Sequence, residues 1–251
     1  MERQKIVMPE ENDCLAFIGD IHYGHPNVAL RQLTKAMKFI DENDMFVVLT
    51  GDLIEGRERS HKFYIPGSPT VQEQKKWAIK FFKDVAESGR LVGILSGNHE
   101  SGIQQKSTLD PVEDICDALG VKYLHDMAYL NFKNKNKNYK IIAAHGGGGA
   151  TTVQGTTTKI RNFSRSFPVD GVVLGHTHQL FAFPDTYVEF NNNMDYKAVY
   201  RQLAYAGTFL KSYRWEVESY AEKKNYNPTP LGFLWFELDN GILQPRPQMV
   251  P

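Results

Sequence analysis

Residues 45–52, Met-Phe-Val-Val-Leu-Thr-Gly-Asp, form a short apolar run that ends abruptly in a small and polar cluster. Two further runs end in the same way: Cys14–Ile18 runs into Gly-Asp, and Leu91–Leu95 runs into Ser-Gly-Asn-His. Short apolar runs without alternation are typical of strands that are covered on both faces. Tyr139–Ala144 and Val172–Leu174 follow the same rule. The sequence therefore predicts five buried strands, each followed by polar residues.

Helical patterns lie between the first three runs. Apolar residues recur at helical spacing from Val28 to Ile40, behind a proline at position 26 that suits a helix start, and again from Trp77 to Val85. A shorter helix is predicted over Pro111–Leu119. Alternating strands and helices predict a protein of the α/β class.

The second half of the chain is richer in aromatic and β-branched residues. Gln179–Phe190, Tyr200–Leu210 and Gly232–Leu238 are predicted as strands of a second sheet. Asn131–Asn138 is predicted as the solvated end of a hairpin, and contact of its three lysines with an anionic ligand is the alternative. Since the chain shows neither an internal repeat nor a linker-like change of composition, residues 1–251 are expected to form one domain.

The composition limits the classes of function. Lys and Arg number 29 and Asp and Glu number 29, so the formal charge is zero at pH 7, and the basic excess of proteins that coat nucleic acid or bind membranes electrostatically is absent. No apolar stretch approaches the roughly 20 residues of a membrane helix, and the N-terminus lacks the apolar region of a signal peptide. A cytoplasmic protein without a membrane segment is expected. Cys14 and Cys116 are predicted to be buried free thiols.

Residues that bind metals follow each of the five predicted strands, which is where ligands gather in open α/β sheets. Each group alone is a weak signal, because a Gly-Asp after a strand is often only a turn. Together they supply carboxylates, an amide and imidazoles without thiolate, a donor set that suits Mn, Fe, Zn or Ni. In chain order the groups are Gly19-Asp20-Ile21-His22, Gly51-Asp52, Gly97-Asn98-His99-Glu100, His145 with four glycines after it, and Gly175-His176-Thr177-His178.

In this order, and over residues 19–178, the five motifs resemble those of the calcineurin-like metallophosphoesterase superfamily. The resemblance implies a four-layer α/β/β/α sandwich with two central mixed β-sheets and a binuclear metal site at the strand ends. Two divalent ions are implied, with manganese favoured and iron, zinc or nickel as alternatives. The implied ligands are Asp20, His22 and His178 for one ion, Asn98, His145 and His176 for the other, and Asp52 as the bridge between them.

The resemblance also implies that His99 is the general acid and that Glu100 helps to hold it in place. Two closely spaced cations can share a carboxylate and a hydroxide that attacks phosphorus in line. The leaving alkoxide needs a proton, and an imidazole with an ordinary pKa of about 6.5 can supply it near neutral pH.

Several loop residues near these motifs are candidate substrate contacts. Gly146 and Gly147 belong to a run of glycines that either presents backbone N–H groups to an anion or forms a loop without that role. Polar residues of the other loops have the same two interpretations, phosphate contacts or ordinary loop residues. They are His25, Arg57, His61, Lys159 and Arg161.

The expected substrate class rests on a difference between the second motif of this chain and that of protein phosphatases. In the protein phosphatase branch of the superfamily the second motif continues as Asp-Arg-Gly, whereas here it reads Gly51-Asp52-Leu53-Ile54-Glu55. The end of the chain loosely resembles bacterial and phage-encoded members related to DNA-repair-type phosphoesterases. We therefore expect a phosphodiesterase that acts on nucleic acid, such as DNA, or on a nucleotide. A phosphomonoesterase (a nucleotide or protein phosphatase) is the alternative, and a non-catalytic scaffold is disfavoured because every ligand position is intact.

Overall fold

The computed structural model describes residues 1–57, 65–149, 152–193, 195–215 and 220–251. Over these residues the protein is a mixed α/β fold with twelve strands and six helices. In chain order the elements are β1 Glu2–Val7, β2 Cys14–Ile18, α1 Leu30–Glu42, β3 Phe46–Leu49, α2 Val71–Glu87, β4 Leu91–Leu95, α3 Asn98–Ser107, α4 Pro111–Leu119, β5 Lys122–His125, β6 Met127–Asn134, β7 Lys137–Ala144, α5 Val153–Ser164, β8 Gly171–Leu174, β9 Leu180–Phe190, β10 Tyr196–Thr208, α6 Tyr220–Lys224, β11 Gly232–Asp239 and β12 Ile242–Met249.

The strands form one continuous hydrogen-bonded path in the order β1-β6-β7-β8-β10-β11-β2-β3-β4-β5, with β9 on β10 and β12 on β11. The pairs from β2 to β5 are parallel, as are β7–β8 and β8–β10, whereas β6–β7, β9–β10, β10–β11 and β11–β2 are antiparallel. β10 connects the two halves of the path, because its middle pairs with β8 and its end, Gly207–Thr208, pairs with β11. Gly207 has a φ of +88° there, and a Cβ would collide with the carbonyl oxygen of Gly232.

Alternation along the strands divides the core into three clusters. Leu15 and Phe17 of β2 pack in one cluster with residues of β6, β7, β10 and β11, so the two halves of the path share apolar contacts. Ala16 and Ile18, one position along, belong to a second cluster with the apolar faces of α1, α2 and α4. Val172 and Leu174 of β8 pack with Ile160 of α5 in the third cluster. Because successive strand residues point to opposite faces, β2 and β8 are covered on both sides.

The predicted strands agree closely with the structure, and the hairpin at Asn131–Asn138 is present as the β6–β7 turn. The prediction that the strands of the second half form a sheet of their own is wrong in one respect: β11 pairs with β2 of the first half, while β9 and β10 join β8. The predicted start of α1 behind Pro26 is also too early, since the helix begins at Leu30. Six elements were not predicted from the sequence: β1, α3, β5, α5, α6 and β12.

Side chains at the N-cap position cap α2, α4 and α5. Asp110 accepts hydrogen bonds from the N–H groups of Val112 and Glu113 at the start of α4. At the start of α2, Thr70 and Glu73 form a reciprocal capping box. Cys116 is a buried free thiol as predicted, whereas the free thiol of Cys14 is only partly buried. Among the described helices, none combines the length and the apolarity needed to cross a bilayer.

Candidate metal centre

The five polar groups predicted at strand ends meet at one place in the fold. The loops after β2, β3 and β4 approach those after β7 and β8 so closely that glycine is required between them. A Cβ on Gly51 would lie 2.6 Å from the backbone nitrogen of Gly97, and a Cβ on Gly175 would lie 3.0 Å from Asp20 Oδ2. On Gly97 a Cβ would overlap both the carboxylate and the backbone nitrogen of Asp52. The glycines of the motifs thus bring the donor groups together.

The backbone at the site adopts an unusual conformation. Five of the seven predicted ligands have φ between +49° and +69°, the left-handed region that side chains other than glycine seldom occupy. Such conformations persist only where the surrounding structure imposes them, and they concentrate at functional sites. The five are Asp20, His22, Asp52, His176 and His178.

The first predicted ligand set forms a close cluster. His178 Nε2 lies 3.4 Å from Asp20 Oδ1 and 3.1 Å from His22 Nε2. Asp20 is fully buried, and its Oδ1 has no hydrogen-bond partner among the described residues. A buried carboxylate oxygen without a donor, facing two imidazole nitrogens, is what a cation site requires and what a closed hydrogen-bond network avoids. These three residues therefore fit a divalent ion.

The second predicted ligand set is equally close. Asn98 Oδ1 lies 2.6 Å from His176 Nδ1 and 3.1 Å from His145 Nε2. His145 Nε2 is also 3.3 Å from Asp52 Oδ2. Ligand atoms of three residues lie within 4.8 Å of one another in each cluster, close enough to share a metal ion. The two sets are Asp52, His145 and His176, and Asp20, His22 and His178. An amide oxygen, a carboxylate oxygen and two imidazole nitrogens form a donor set for a borderline transition metal.

Asp52 lies between the two clusters. Its Oδ2 is 3.3 Å from His145 in one cluster and 3.7 Å from His22 in the other. Burial opposes the charged form of Asp52, but the neighbouring histidines hold its pKa well below its usual range. Burial likewise disfavours a charged His145, yet the Asp52 carboxylate outweighs it and raises the pKa of His145 to about 10. In the metal-free protein, a proton on His145 therefore balances the charge of Asp52.

The ring orientation of two histidines is fixed from outside the clusters. His145 Nδ1 donates to the carbonyl oxygen of Thr50 at 2.8 Å, and His22 Nδ1 lies 3.1 Å from Glu55 Oε2. Each contact places the N–H on Nδ1 and leaves Nε2 as a donor for metal. No role of Glu55 was predicted from the sequence. Its position three residues after Asp52 was the available signal. Burial opposes ionisation of Glu55, but its contacts with His22 and His99 and the guanidinium of Arg57 lower its pKa to about 2.

His99 lies beside both clusters at the start of α3. Its Nδ1 donates to the carbonyl oxygen of Glu55 at 2.6 Å, and its backbone N–H donates to Asp52 Oδ1 at 2.9 Å. Burial works against a charged ring, but the carboxylates of Asp52 and Glu55 raise the pKa of His99. The ring lines an open cleft in front of the clusters. His99 can therefore carry a proton to a group bound in that cleft.

Glu100 is fully buried beneath the site. Its carboxylate accepts four hydrogen bonds of 2.7–3.1 Å from backbone N–H groups. The donors are Asp52, Leu53, Ile54 and Gly97. Burial raises the pKa of Glu100 to about 7, and the nearby Asp52 carboxylate adds to this effect. The hydrogen bonds described for Glu100 go to the two loops that carry Asp52 and His99, so it connects the ends of β3 and β4.

Of the predicted substrate residues, His25 and Arg57 line the cleft, whereas Lys159 and Arg161 are not among its lining residues. The cleft has a volume of about 460 Å³. His25 is buried, its Nδ1 accepts from the N–H of Asn27 at 3.0 Å, and burial lowers its pKa to about 4. In the glycine run the lining residues are Gly148 and Gly149, next to the predicted pair Gly146 and Gly147, which are not among them. His61 lies outside the described residues.

One wall of the cleft was not predicted from the sequence. It comes from the segments before and after α6 and includes Lys211, Ser212, Asn227 and Thr229. Ser212 and Thr229 hold these segments together, since the Thr229 N–H donates to Ser212 Oγ at 3.1 Å. The segment 210–229 carries no metal-binding motif, so its approach to the site depends on tertiary structure alone.

The chain is similar to known proteins over most of its length. A family model described as calcineurin-like phosphoesterase matches residues 15–180. A solved structure of a hypothetical protein from Pyrococcus horikoshii aligns over 97% of this chain and 89% of its own, with a TM-score of 0.50 and 10% identity. A predicted phosphoesterase from Streptococcus pneumoniae aligns over 94% and 98%, with a TM-score of 0.38 and 11% identity. A zinc complex of Vps29 from Entamoeba histolytica aligns over 95% of this chain and 99% of its own, with a TM-score of 0.32 and 14% identity. No curated protein matches the chain.

Proposed function

Because the chain belongs to the calcineurin-like phosphoesterase family, we propose that it is a hydrolase that uses two divalent metal ions to cleave phosphodiester bonds in nucleic acid or a nucleotide. The observation that carries the proposal is the position of Asp52, whose carboxylate lies within 4 Å of an imidazole of each donor cluster. Manganese is the favoured ion because the donors are oxygen and imidazole nitrogen.

The shared apolar contacts between the two halves of the strand path support a four-layer sandwich as the framework of this site. β2 and β8 each have an inner face and a face covered by helices. We propose that residues 1–251 form a single domain of this architecture, with the metals held where strands of both halves end.

Bound metal ions would neutralise phosphate charge and lower the pKa of a water nucleophile. Asp20, His22 and His178 would hold one ion and Asn98, His145 and His176 the other, with Asp52 between them. The protein itself would supply the proton. His99 donates from Nδ1 to the Glu55 carbonyl, which leaves Nε2 to protonate the departing oxygen. Glu100 would keep Asp52 and His99 in register through its bonds to both loops.

The choice of a diester rests on the second motif and on the cleft. The motif lacks the Asp-Arg-Gly continuation of protein phosphatases. The cleft is open and extends from the clusters to residues 210–212 and 226–229, which leaves room for a second ester group on a bound phosphate. His25 and Arg57 would contact the non-bridging oxygens.

The test compares three substrates with manganese-loaded protein: bis-p-nitrophenyl phosphate, p-nitrophenyl phosphate and single-stranded DNA. Turnover of the diesters in excess of the monoester is expected. Rapid turnover of the monoester alone would assign the protein as a phosphomonoesterase, and inertness toward all three would point to a scaffold.

Two variants separate the proposed roles. His99→Ala should retain metal and lose activity by about 10²–10⁴-fold, whereas Asp52→Asn should lose metal. His125→Ala and Asp114→Asn are matched controls, because both side chains are exposed and neither belongs to the clusters. Equal metal loss in His99→Ala and Asp52→Asn would contradict the separate roles.

A further inference from the structure

A two-stranded ribbon extends from the sheet. It consists of residues 184–190 of β9 and 196–202 of β10, which pair with each other from Phe190↔Tyr196 to Pro184↔Gln202. β9 has β10 as its only strand partner in the described structure. Residues directly opposite each other in an antiparallel pair share a face, so the register assigns every ribbon residue to one of two faces.

One ribbon face continues the inner apolar face of the sheet. At the base of the hairpin, Ala204 and Ala206 of β10 belong to the cluster shared by both halves of the strand path, and Leu180 and Ala182 of β9 pack against it. With the period of two, Tyr200 lies on the same side farther out. This face is covered at its base and exposed along the ribbon. We call its outer part, Val188, Phe190, Tyr196, Ala198 and Tyr200, the ribbon face; the uncharged Pro184, Thr186 and Gln202 lie on the same side nearer the base.

The ribbon face is unusually apolar for a surface exposed to solvent. Phe190 is 73% exposed, Tyr196 74%, Tyr200 70% and Val188 49%. The charged residues of the ribbon all lie on the opposite face. They are Asp185, Glu189, Lys197 and Arg201. Contiguous apolar patches of this kind mark sites of protein association.

We propose that the ribbon face is the contact by which two copies of this chain form a symmetric dimer. A twofold interface places one patch against itself, so an uncharged patch meets no like charge there. Three aromatic side chains at about three-quarters exposure offer roughly 350–500 Å² per copy. Two copies would then bury about 700–1,000 Å², the size of a weak and reversible interface. Nucleic acid is a poorer occupant, because the face carries no Lys or Arg to meet phosphate.

The arrangement follows the way in which the chain itself packs apolar strand faces. At the base, the inner face of β10 is covered by residues of β2 and β11. On the ribbon, the equivalent face of a second copy would take their place. The interface is small, so a reversible dimer that dissociates on dilution is expected rather than a permanent one.

Sedimentation equilibrium of the full-length protein over a range of about 5 to 200 μM tests the proposal. The wild-type mass should rise toward twice 28.6 kDa with concentration. Tyr196→Glu and Tyr200→Glu should each stay near 28.6 kDa throughout. Glu189→Lys, on the opposite face of the same ribbon, is the matched control and should dimerise like the wild type. Unchanged thermal unfolding of each variant would exclude misfolding as the cause.

A mixing experiment tests the face-to-face geometry. Tyr196→Glu and Tyr196→Lys, each monomeric alone, should regain dimer when mixed in equal amounts, because opposite charges would then face each other across the interface. A wild-type protein that is monomeric at every concentration would overturn the proposal. So would a dimer that survives Tyr196→Glu and Tyr200→Glu, or protection of the ribbon face by single-stranded DNA without any change in mass.

Discussion

Replacing Gly97 by alanine tests the packing on which the proposed metal centre depends. Gly97 has φ of −96° and ψ of 177°, a conformation that alanine adopts without strain. The effect of the substitution is therefore purely steric. The new Cβ would overlap the carboxylate and backbone nitrogen of Asp52 and lie 2.7 Å from Glu100 Oε2.

The expected magnitude follows from the contacts that must give way. Overpacking of a rigid site costs about 1–3 kcal/mol. Separation of the two loops would also weaken the bonds that the Gly97 and Asp52 N–H groups donate to Glu100, each worth about 0.5–1.5 kcal/mol. We expect a loss of about 2–6 kcal/mol in the free energy of unfolding. Displacement of Asp52 should weaken manganese binding by about 10- to 100-fold.

Gly102→Ala is the matched control on the same helix. A Cβ at Gly102 would have no heavy atom within 4 Å, and alanine in a helix is favoured over glycine by about 1 kcal/mol. Urea unfolding and isothermal titration with manganese measure both quantities for the two variants. If Gly97→Ala unfolded and bound manganese like Gly102→Ala, the close approach of the loops after β3 and β4 would not be required, and the reasoning would be refuted.

Three other predictions concern charge and capping. In metal-free protein the pKa of Glu55 is about 2, below its ordinary value of 4.5. Ionised Glu55 therefore stabilises the fold above pH 4.5 by up to about 3 kcal/mol, and this contribution is lost as the pH falls toward 2. Glu55→Gln should accordingly be less stable at pH 7 and less sensitive to acid, and parallel stability–pH curves would contradict the pairing with His22. His145, with a pKa of about 10, is protonated at pH 8 without metal, so manganese binding should release about one proton. Calorimetry in buffers of different ionisation enthalpy measures this release, and binding heats that do not depend on the buffer would contradict the prediction. Thr70→Ala removes the capping box of α2 and should cost about 1 kcal/mol without changing activity, and a larger loss would mean that Thr70 has a further role.

The strand ends were predictable because apolar runs and the residues that interrupt them are local features. β2 and β4 have the predicted bounds. α3 was missed because its sequence, from Asn98 to Ser107, has little amphipathic pattern and includes a glycine. β12 contains Pro245 and Pro247, which are tolerated because this strand pairs only with β11 in the described structure.

Long-range partners were beyond sequence reasoning. β11 pairs with β2 of the first half and, at Gly207, with the end of β10. No local pattern in the sequence indicates either pairing. The same holds for the cleft wall from 210–229. Glu55 differs, because it stands within the second motif. Its contact with His22 could be recognised only after the loops had been brought together.

Five of the predicted metal ligands have a left-handed backbone, so substitutions that stabilise the fold at these positions would remove predicted metal-binding side chains. Each such residue costs roughly 1 kcal/mol or more relative to glycine, so the five together store about 5 kcal/mol. A library screened only for thermal tolerance would gain by accepting glycine or asparagine there, and would drift toward heat-resistant proteins unable to hold metal. Engineering of this chain should therefore exclude these positions, or select for manganese binding in every round.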